Sequence, residues 1–346
     1  MLVVIASFSA AWVAHGLRVA SERTDIRAQR DTLRALRDAK LALIAHALSE
    51  DNTPGTLPCP TSDLDGSLDN SVPGCSNATT DVAGRLPWFK LGLMASRDGD
   101  GECLWYVVSA AYKNMGNVRD RGDSRDALNP VITSSLRLDG SVVTQPAALL
   151  IAPGRALGGQ GALRGTATQY ECVGGPASAF LDSDGTSNAD GDAFYVTAVS
   201  TTAFNDTVMP ISREELLRPV LRRVLVTLAS DAPSPDATSP SIRDELQIRM
   251  GSLGNGTVAD LRNASNSHQF DLRLHPLAES VSGSACPYDG TQKQAVSWLC
   301  FNGWYAFMDY SAMNQTITLS MDRTDPTAYA CTMSVSTGAV RCGYGA

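Results

Sequence analysis

Apolar residues dominate the start of the chain: Met1 to Ala14 is hydrophobic apart from Ser7 and Ser9. From Leu17 to Glu50 there is neither Gly nor Pro, and Leu33, Leu36, Leu43, Ile44, Ala47 and Leu48 recur at helical spacing with Arg and Asp filling the other positions. This pattern predicts one helix whose second half lies against something. Asp51-Asn-Thr-Pro-Gly55 then stops it, since Pro and Gly do not continue the hydrogen-bond ladder cheaply. A secretory signal would turn polar at a small-residue cleavage site and give way to the mature fold, whereas here the helical pattern carries on. The apolar part is short for a full crossing, which needs about twenty residues, and His15 and Arg18 interrupt it. The segment is expected both to anchor and to assemble, through Leu2, Val3, Val4, Ile5, Ala6, Phe8, Ala10 and Ala14. Small residues at Ala6, Ser7, Ala10, Ala11 and Ala14 would let neighbouring helices approach closely in an apolar medium.

Beyond the helix the period changes. Gly101–Ala110 reads as a buried strand, and Ala147–Ala152 and Ala193–Ser200 as further strands. Ser212–Leu228 reads as a second helix, with Ser212 as N-cap and Glu215 three residues on forming a capping box. Between Ala229 and Ser241 the text is Pro- and Ser-rich and cannot hold a helix or a central strand. After this linker, Ile242–Met250 reads as a short helix. Trp298–Tyr310, Thr316–Met321 and Ala328–Val335 have the aromatic, Thr and Val content of strands. The expected organisation is an N-terminal helix (1–50), a globular domain (51–228), a linker (229–241) and a disulfide-rich β domain (242–346).

Composition changes this picture in two ways. A net charge of −8 over 346 residues leaves no broad basic surface for nucleic acid, which is excluded as a partner. Eight cysteines, Cys59, Cys75, Cys103, Cys172, Cys286, Cys300, Cys331 and Cys342, include no C-x-x-C pair, so disulfides fit better than zinc. Sequence neighbours suggest the pairs Cys59–Cys75, Cys103–Cys172, Cys286–Cys300 and Cys331–Cys342. They place the body in an oxidising compartment, although the seven Arg/Lys between Arg18 and Lys40, against four acids, would by themselves favour a cytoplasmic side.

The opening Met1-Leu-Val-Val-Ile-Ala6 resembles the end of the mature start of type IV pilins and type II secretion pseudopilins. Leu57-Pro-Cys-Pro60, Gly84-Arg-Leu-Pro-Trp88 with Leu91-Gly-Leu93, Gly101-Glu-Cys-Leu-Trp-Tyr106 and Lys113-Asn114 follow in an order similar to that of a group of large pilin-like proteins of Gram-negative bacteria. The similarity covers about residues 30 to 228. It implies an α+β fold in which a long N-terminal helix packs on an antiparallel sheet, here with an extra C-terminal disulfide-rich β module. It also implies a structural role, as a minor or tip component of a pilus-like or pseudopilus filament. The partners would be other pilin or pseudopilin subunits and the inner membrane, with a surface or host ligand at the C-terminal domain. The protein would be anchored in the inner membrane with a periplasmic body, or displayed on a surface pilus. The alternative is a membrane-anchored periplasmic binding or sensor protein that does not polymerise.

Candidate chemistry is thin. Acidic turns at Asp63–Asp69, Asp98–Asp100 and Asp182–Asp192 alternate carboxylates around Gly, a pattern that can aim oxygens at calcium. The third is the best of them, with Asp182, Asp184, Asn188, Asp190 and Asp192 as its candidate ligands. Only four His occur, and no nucleophile elbow, zinc-protease motif or phosphate loop accompanies them, so no enzyme is expected.

Overall fold

The computed structural model describes residues 2–50, 54–67, 72, 74–75, 79–113, 130, 132–141, 145–165, 171–184, 186–230, 243, 246–247, 255–257, 299 and 304–345; of these, 2–23, 184, 257 and 305–306 are described in backbone only. The chain is α+β, with two helices among the described residues, α1 (Leu2–Ser49) and α2 (Arg213–Ala229). The strands are β1 (Val82–Arg85), β2 (Trp105–Val108), β3 (Arg137–Leu138), β4 (Ala148–Ala152), β5 (Ser183–Asp184), β6 (Thr186–Ser187), β7 (Phe194–Tyr195), β8 (Thr207–Ile211), β9 (Gly256–Thr257), β10 (Met308–Ser311), β11 (Thr316–Ser320), β12 (Tyr329–Ser334) and β13 (Val340–Tyr344).

The first sheet has the order β1-β2-β4-β8, antiparallel throughout. Its two central strands, Trp-Tyr-Val-Val and Ala-Leu-Leu-Ile-Ala, are apolar at every position, as a sheet covered on both faces requires. Alternation then divides them. Tyr106, Val108, Ala148, Leu150 and Ala152 join Leu36, Ala39, Leu43 and Ala47 of α1 in one core. Trp105, Val107, Leu149 and Ile151 face a second core with Leu136, Phe180 and Tyr195, supplied by the long connection between β4 and β8 and the residues before β4.

Both edges of this sheet are closed. Beside β1, Thr61 and Arg85 exchange two backbone hydrogen bonds of 3.0 Å each. Gly84 is needed there, because a Cβ at this position would come within 2.9 Å of the Pro60 ring. On β8, Pro210 offers no N–H, and its carbonyl accepts from Lys40 Nζ at 2.8 Å.

The second sheet, β13-β12-β11-β10-β9, is an antiparallel arrangement with period-2 burial. Ile317, Leu319, Cys331 and Met333 point into the core, while the Thr318 and Thr332 hydroxyls meet at 3.2 Å on the other face. α2 covers the inner face. Its buried residues Leu216, Leu217, Val220, Leu221, Val224, Leu225 and Leu228 span a wide arc, because the helix serves this sheet and α1 at once. The capping box at its start is formed: Ser212 Oγ accepts from the Glu215 N–H at 3.2 Å, and Glu215 Oε2 accepts from the Ser212 N–H at 2.9 Å.

Among the described residues, three disulfides staple the body: Cys59–Cys75, Cys103–Cys172 and Cys331–Cys342. The last joins directly opposed residues of β12 and β13. Cys286 and Cys300 lie outside the described residues, as do the linker from 231 onward and most of Ile242–Met250. The strand expected over Ala193–Ser200 shrinks to the two residues of β7, which pair in parallel with β3. Trp298–Tyr310 is not one strand either: a 3-10 turn at Trp304–Phe307 leads into β10.

Candidate functional site

The seat of α1 on the body is the best-built feature of the molecule. The buried stripe is Thr32, Leu36, Ala39, Leu43 and Ala47, one side of a helix at steps of three and four. This corrects the stripe read from hydrophobicity. Leu36, Leu43 and Ala47 are buried as expected and Ile44 and Leu48 pack partly, but Leu33 is exposed. Thr32 replaces it because its hydroxyl has work inside: Oγ1 accepts the Gly99 N–H at 2.9 Å. Gly99 lies so close that a Cβ there would stand 2.0 Å from the Ala28 carbonyl oxygen.

The turn carrying Gly99 is held by Asp98. Its carboxylate accepts from the N–H groups of Asp100 at 3.0 Å, Glu102 at 2.9 Å and Gly154 at 2.8 Å. Burial raises the Asp98 pKa, and these hydrogen bonds oppose the rise. Asp98 thus organises a loop instead of presenting an acid to a ligand.

Further along α1, Lys40 ties three elements together. Besides the Pro210 carbonyl, its ammonium meets Glu215 at 2.6 Å, joining α1 to the β8 edge and to the capping box of α2. Lys40 also holds the Glu215 pKa down, against a rise from burial. At the end of the helix, Arg223 of α2 donates to the Leu48 carbonyl. His46 and Glu50 pair at 3.2 Å, with burial pulling the His46 pKa down. Between α1 and the ends of β4 and β8 lies a cleft of about 390 Å³, lined by Asp25, Gln29, Asp100, Arg155 and Asn205 among others.

The motif residues support this platform. The Tyr106 hydroxyl donates to the Pro58 carbonyl at 3.1 Å, and Leu57 N–H donates to the Tyr112 carbonyl at 2.7 Å. Trp88 covers Gly66, whose φ of +70° suits glycine. Arg85 is buried, its guanidinium 4.9 Å from the Trp105 ring and 4.6 Å from Phe180, and it donates to the Val173 carbonyl. Arg164 lies 4.7 Å from the same Phe180 ring and pairs with Glu102 at 2.7 Å. Burial lowers Arg85 to about 10, still well above neutrality, so it remains a cation. Lys113 is fully buried and donates to the carbonyls of Gly74 at 2.5 Å and Thr80 at 2.7 Å, which pins the chain on both sides of Cys75. Burial brings it down to about 8, with Asp81 opposing the fall.

Of the candidate calcium ligands whose side chains are described, Asp182 and Asn188 lie together in the interior, while Asp190 and Asp192 are exposed. Asp182 is buried, its carboxylate accepting from Gln160 Nε2 at 2.7 Å and Asn205 N–H at 2.8 Å. Asn188 is buried beside it, its Oδ1 taken by the Val196 N–H at 2.9 Å and its Nδ2 donating to Asp206 Oδ2 at 3.0 Å. Asp190 and Asp192 are exposed and close local turns on Asp192 N–H and Phe194 N–H. The side chain of Asp184 lies outside the description. Among the described residues, no group of three or more His, Cys, Asp or Glu is placed to hold a metal. The missed residue is Asp206, a buried carboxylate whose Oδ1 has no hydrogen-bond partner and whose pKa burial pushes up to about 7. No motif marked it.

The side chains of Leu2, Val3, Val4, Ile5, Ala6, Phe8, Ala10 and Ala14, and of His15, lie outside the description; His268 and His275 are not described. Among the described residues, no helix is long and apolar enough to cross a membrane, in keeping with His15 and Arg18 breaking the apolar run. Compared with protein-family models, with curated proteins and with solved structures, the chain matches none.

Proposed function

We propose that this protein is a structural subunit, a minor or tip component, of a filament of the type IV pilus or type II secretion pseudopilus kind. It is held at the inner membrane by its apolar start, with its body in the periplasm, until it is assembled. The observation that carries this reading is the way α1 is held. Residues 32–47 are clamped on a two-layer body by Gly99, Lys40 and Arg223, and the same helix runs on in the N-terminal direction to Leu2. A clamp of this kind suits an element that must transmit load between an assembly segment and a body. A mere tether needs none of it. The three disulfides suit an oxidising compartment outside the cytoplasm. The second sheet adds bulk that every subunit of a crowded filament would struggle to accommodate, which favours a minor or terminal position.

The second reading, a membrane-anchored periplasmic binding or sensor protein, draws on the cleft between α1 and the body. Replacing Ala10 and Ala14 together by Ile separates the two. The segment stays hydrophobic, but close helix approach is blocked. Membrane association is expected to survive while incorporation into sheared surface filaments is lost. If the wild-type protein never enters a filament fraction, and crosslinking in the membrane yields only monomer, the binding protein takes the place of the subunit.

A further inference from the structure

The helix and the body carry opposite charge. Residues 1–50 hold seven Lys/Arg against five acids, while the remaining 296 residues hold 21 against 31. On α1 the excess is concentrated. Arg27, Arg30, Arg34 and Arg37 are all exposed and follow one another at steps of three and four residues, so they line one side of the helix over about 15 Å. Leu36, Ala39 and Leu43, on the opposite side, are the residues buried against the body. Compensation within the helix is weak. Arg30 and Arg34 reach Asp31 only at 3.9 Å, through side chains that are more than half exposed. Among the described residues, Arg27 and Arg37 make no ion pair. Meanwhile the exposed turns at Asp63–Asp65 and Asp190–Asp192 have no cation against them among the described residues, their carboxylates being engaged by Ser and backbone N–H groups.

We propose that the arginine stripe of α1 docks on the acidic body of a second copy of this chain. A symmetric contact would lay stripe against stripe and set like charges face to face, which charge complementarity disfavours. Stripe against acidic body is a heterologous contact, and such contacts repeat into an open chain unless the rotation happens to close a ring. The proposal rests on the subunit reading above and adds which surface meets which. It also assigns the helix two separate contacts: the apolar start with other helices, and the arginine stripe with a neighbouring body.

The test is sedimentation of the full chain in mild detergent at about 0.05 M and about 0.5 M salt, where screening lengths differ roughly threefold. The wild type is expected to self-associate at low salt and to do so at least tenfold more weakly at high salt. The triple variant R30E/R34E/R37E is expected to lose the low-salt association, while R30K/R34K/R37K keeps most of it. Unchanged melting temperatures in both variants would show that the body remains folded. Association that is insensitive to salt and to charge reversal overturns the docking surface and leaves the subunit reading standing. A wild-type chain that stays monomeric at both salts overturns both. Loss of binding to phosphatidylglycerol vesicles in R30E/R34E/R37E, with self-association intact, assigns the stripe to the membrane surface and likewise overturns the proposal.

Discussion

Gly99→Ala will unseat α1. The added methyl would stand 2.0 Å from the Ala28 carbonyl oxygen and 2.4 Å from its carbon, backbone atoms of a helix that cannot swing aside as a side chain can. Either the turn at 98–101 retreats and gives up the hydrogen bond to Thr32, or the helix lifts around Ala28–Thr32. Overpacking of this kind costs about 3 kcal/mol. Gly101→Ala, two residues away, is the control. It has open space and a φ of +89°, so only the conformational penalty of about 1 kcal/mol applies. The measurement is thermal unfolding together with limited trypsin digestion at Arg27, Arg30, Arg34 and Arg37. Faster cleavage and a clearly lower melting temperature in Gly99→Ala than in Gly101→Ala are expected. Equal behaviour of the two variants would refute the clamp.

Asp206→Asn will stabilise the protein in mildly alkaline solution. The carboxyl is buried, its Oδ2 accepts from Asp182 N–H at 2.9 Å and from Asn188 Nδ2, and its Oδ1 has no partner. Burial is the main cause that pushes its pKa up to about 7, with Asp182 adding to the rise. In the unfolded chain an Asp titrates near pH 3.9. Between about pH 4 and 7 the folded state therefore binds a proton that the unfolded state has lost, and stability falls as pH rises through that window. Above it, the fold carries an anion stripped of water. Asparagine removes the charge, retains an acceptor and adds a donor that Asp182 can receive. A gain on the order of 2 kcal/mol is expected at pH 8, with little gain at pH 5. Chemical denaturation at the two pH values tests this. A variant less stable than wild type at pH 8 would mean that the carboxylate is better solvated there than its burial implies.

Neither of these two sites is legible in the sequence, which is readable where a device is local. The α2 capping box is a local device, Ser212 and Glu215 three residues apart, and it forms as read. The disulfides Cys59–Cys75, Cys103–Cys172 and Cys331–Cys342 join neighbours in order, which is the pairing that chain connectivity favours. β2 and β4 were visible as apolar runs bounded by polar text. What stayed hidden depends on contacts distant in sequence. Thr32 is polar and still buried, because Gly99, far along the chain, supplies its donor. β1 carries Gly84 and a buried Arg85, and β8 carries Pro210, so neither looks like a strand until the neighbouring chain is in place. Asp182 and Asn188 have the composition of an open cation-binding turn. Gln160, Asn205 and Asp206 turn them inward, and no local spacing announces that.

The central claim is that the chain is a subunit placed at or near the end of a filament. The direct measurement is immunogold electron microscopy of surface filaments sheared from cells that make the wild-type protein, using an antibody against the β10–β13 sheet. The account predicts gold particles on filaments, concentrated at one end, and their absence when Ala10 and Ala14 are both Ile. Filaments that never carry label, in cells whose protein is found entirely as monomer in the membrane fraction, would contradict it.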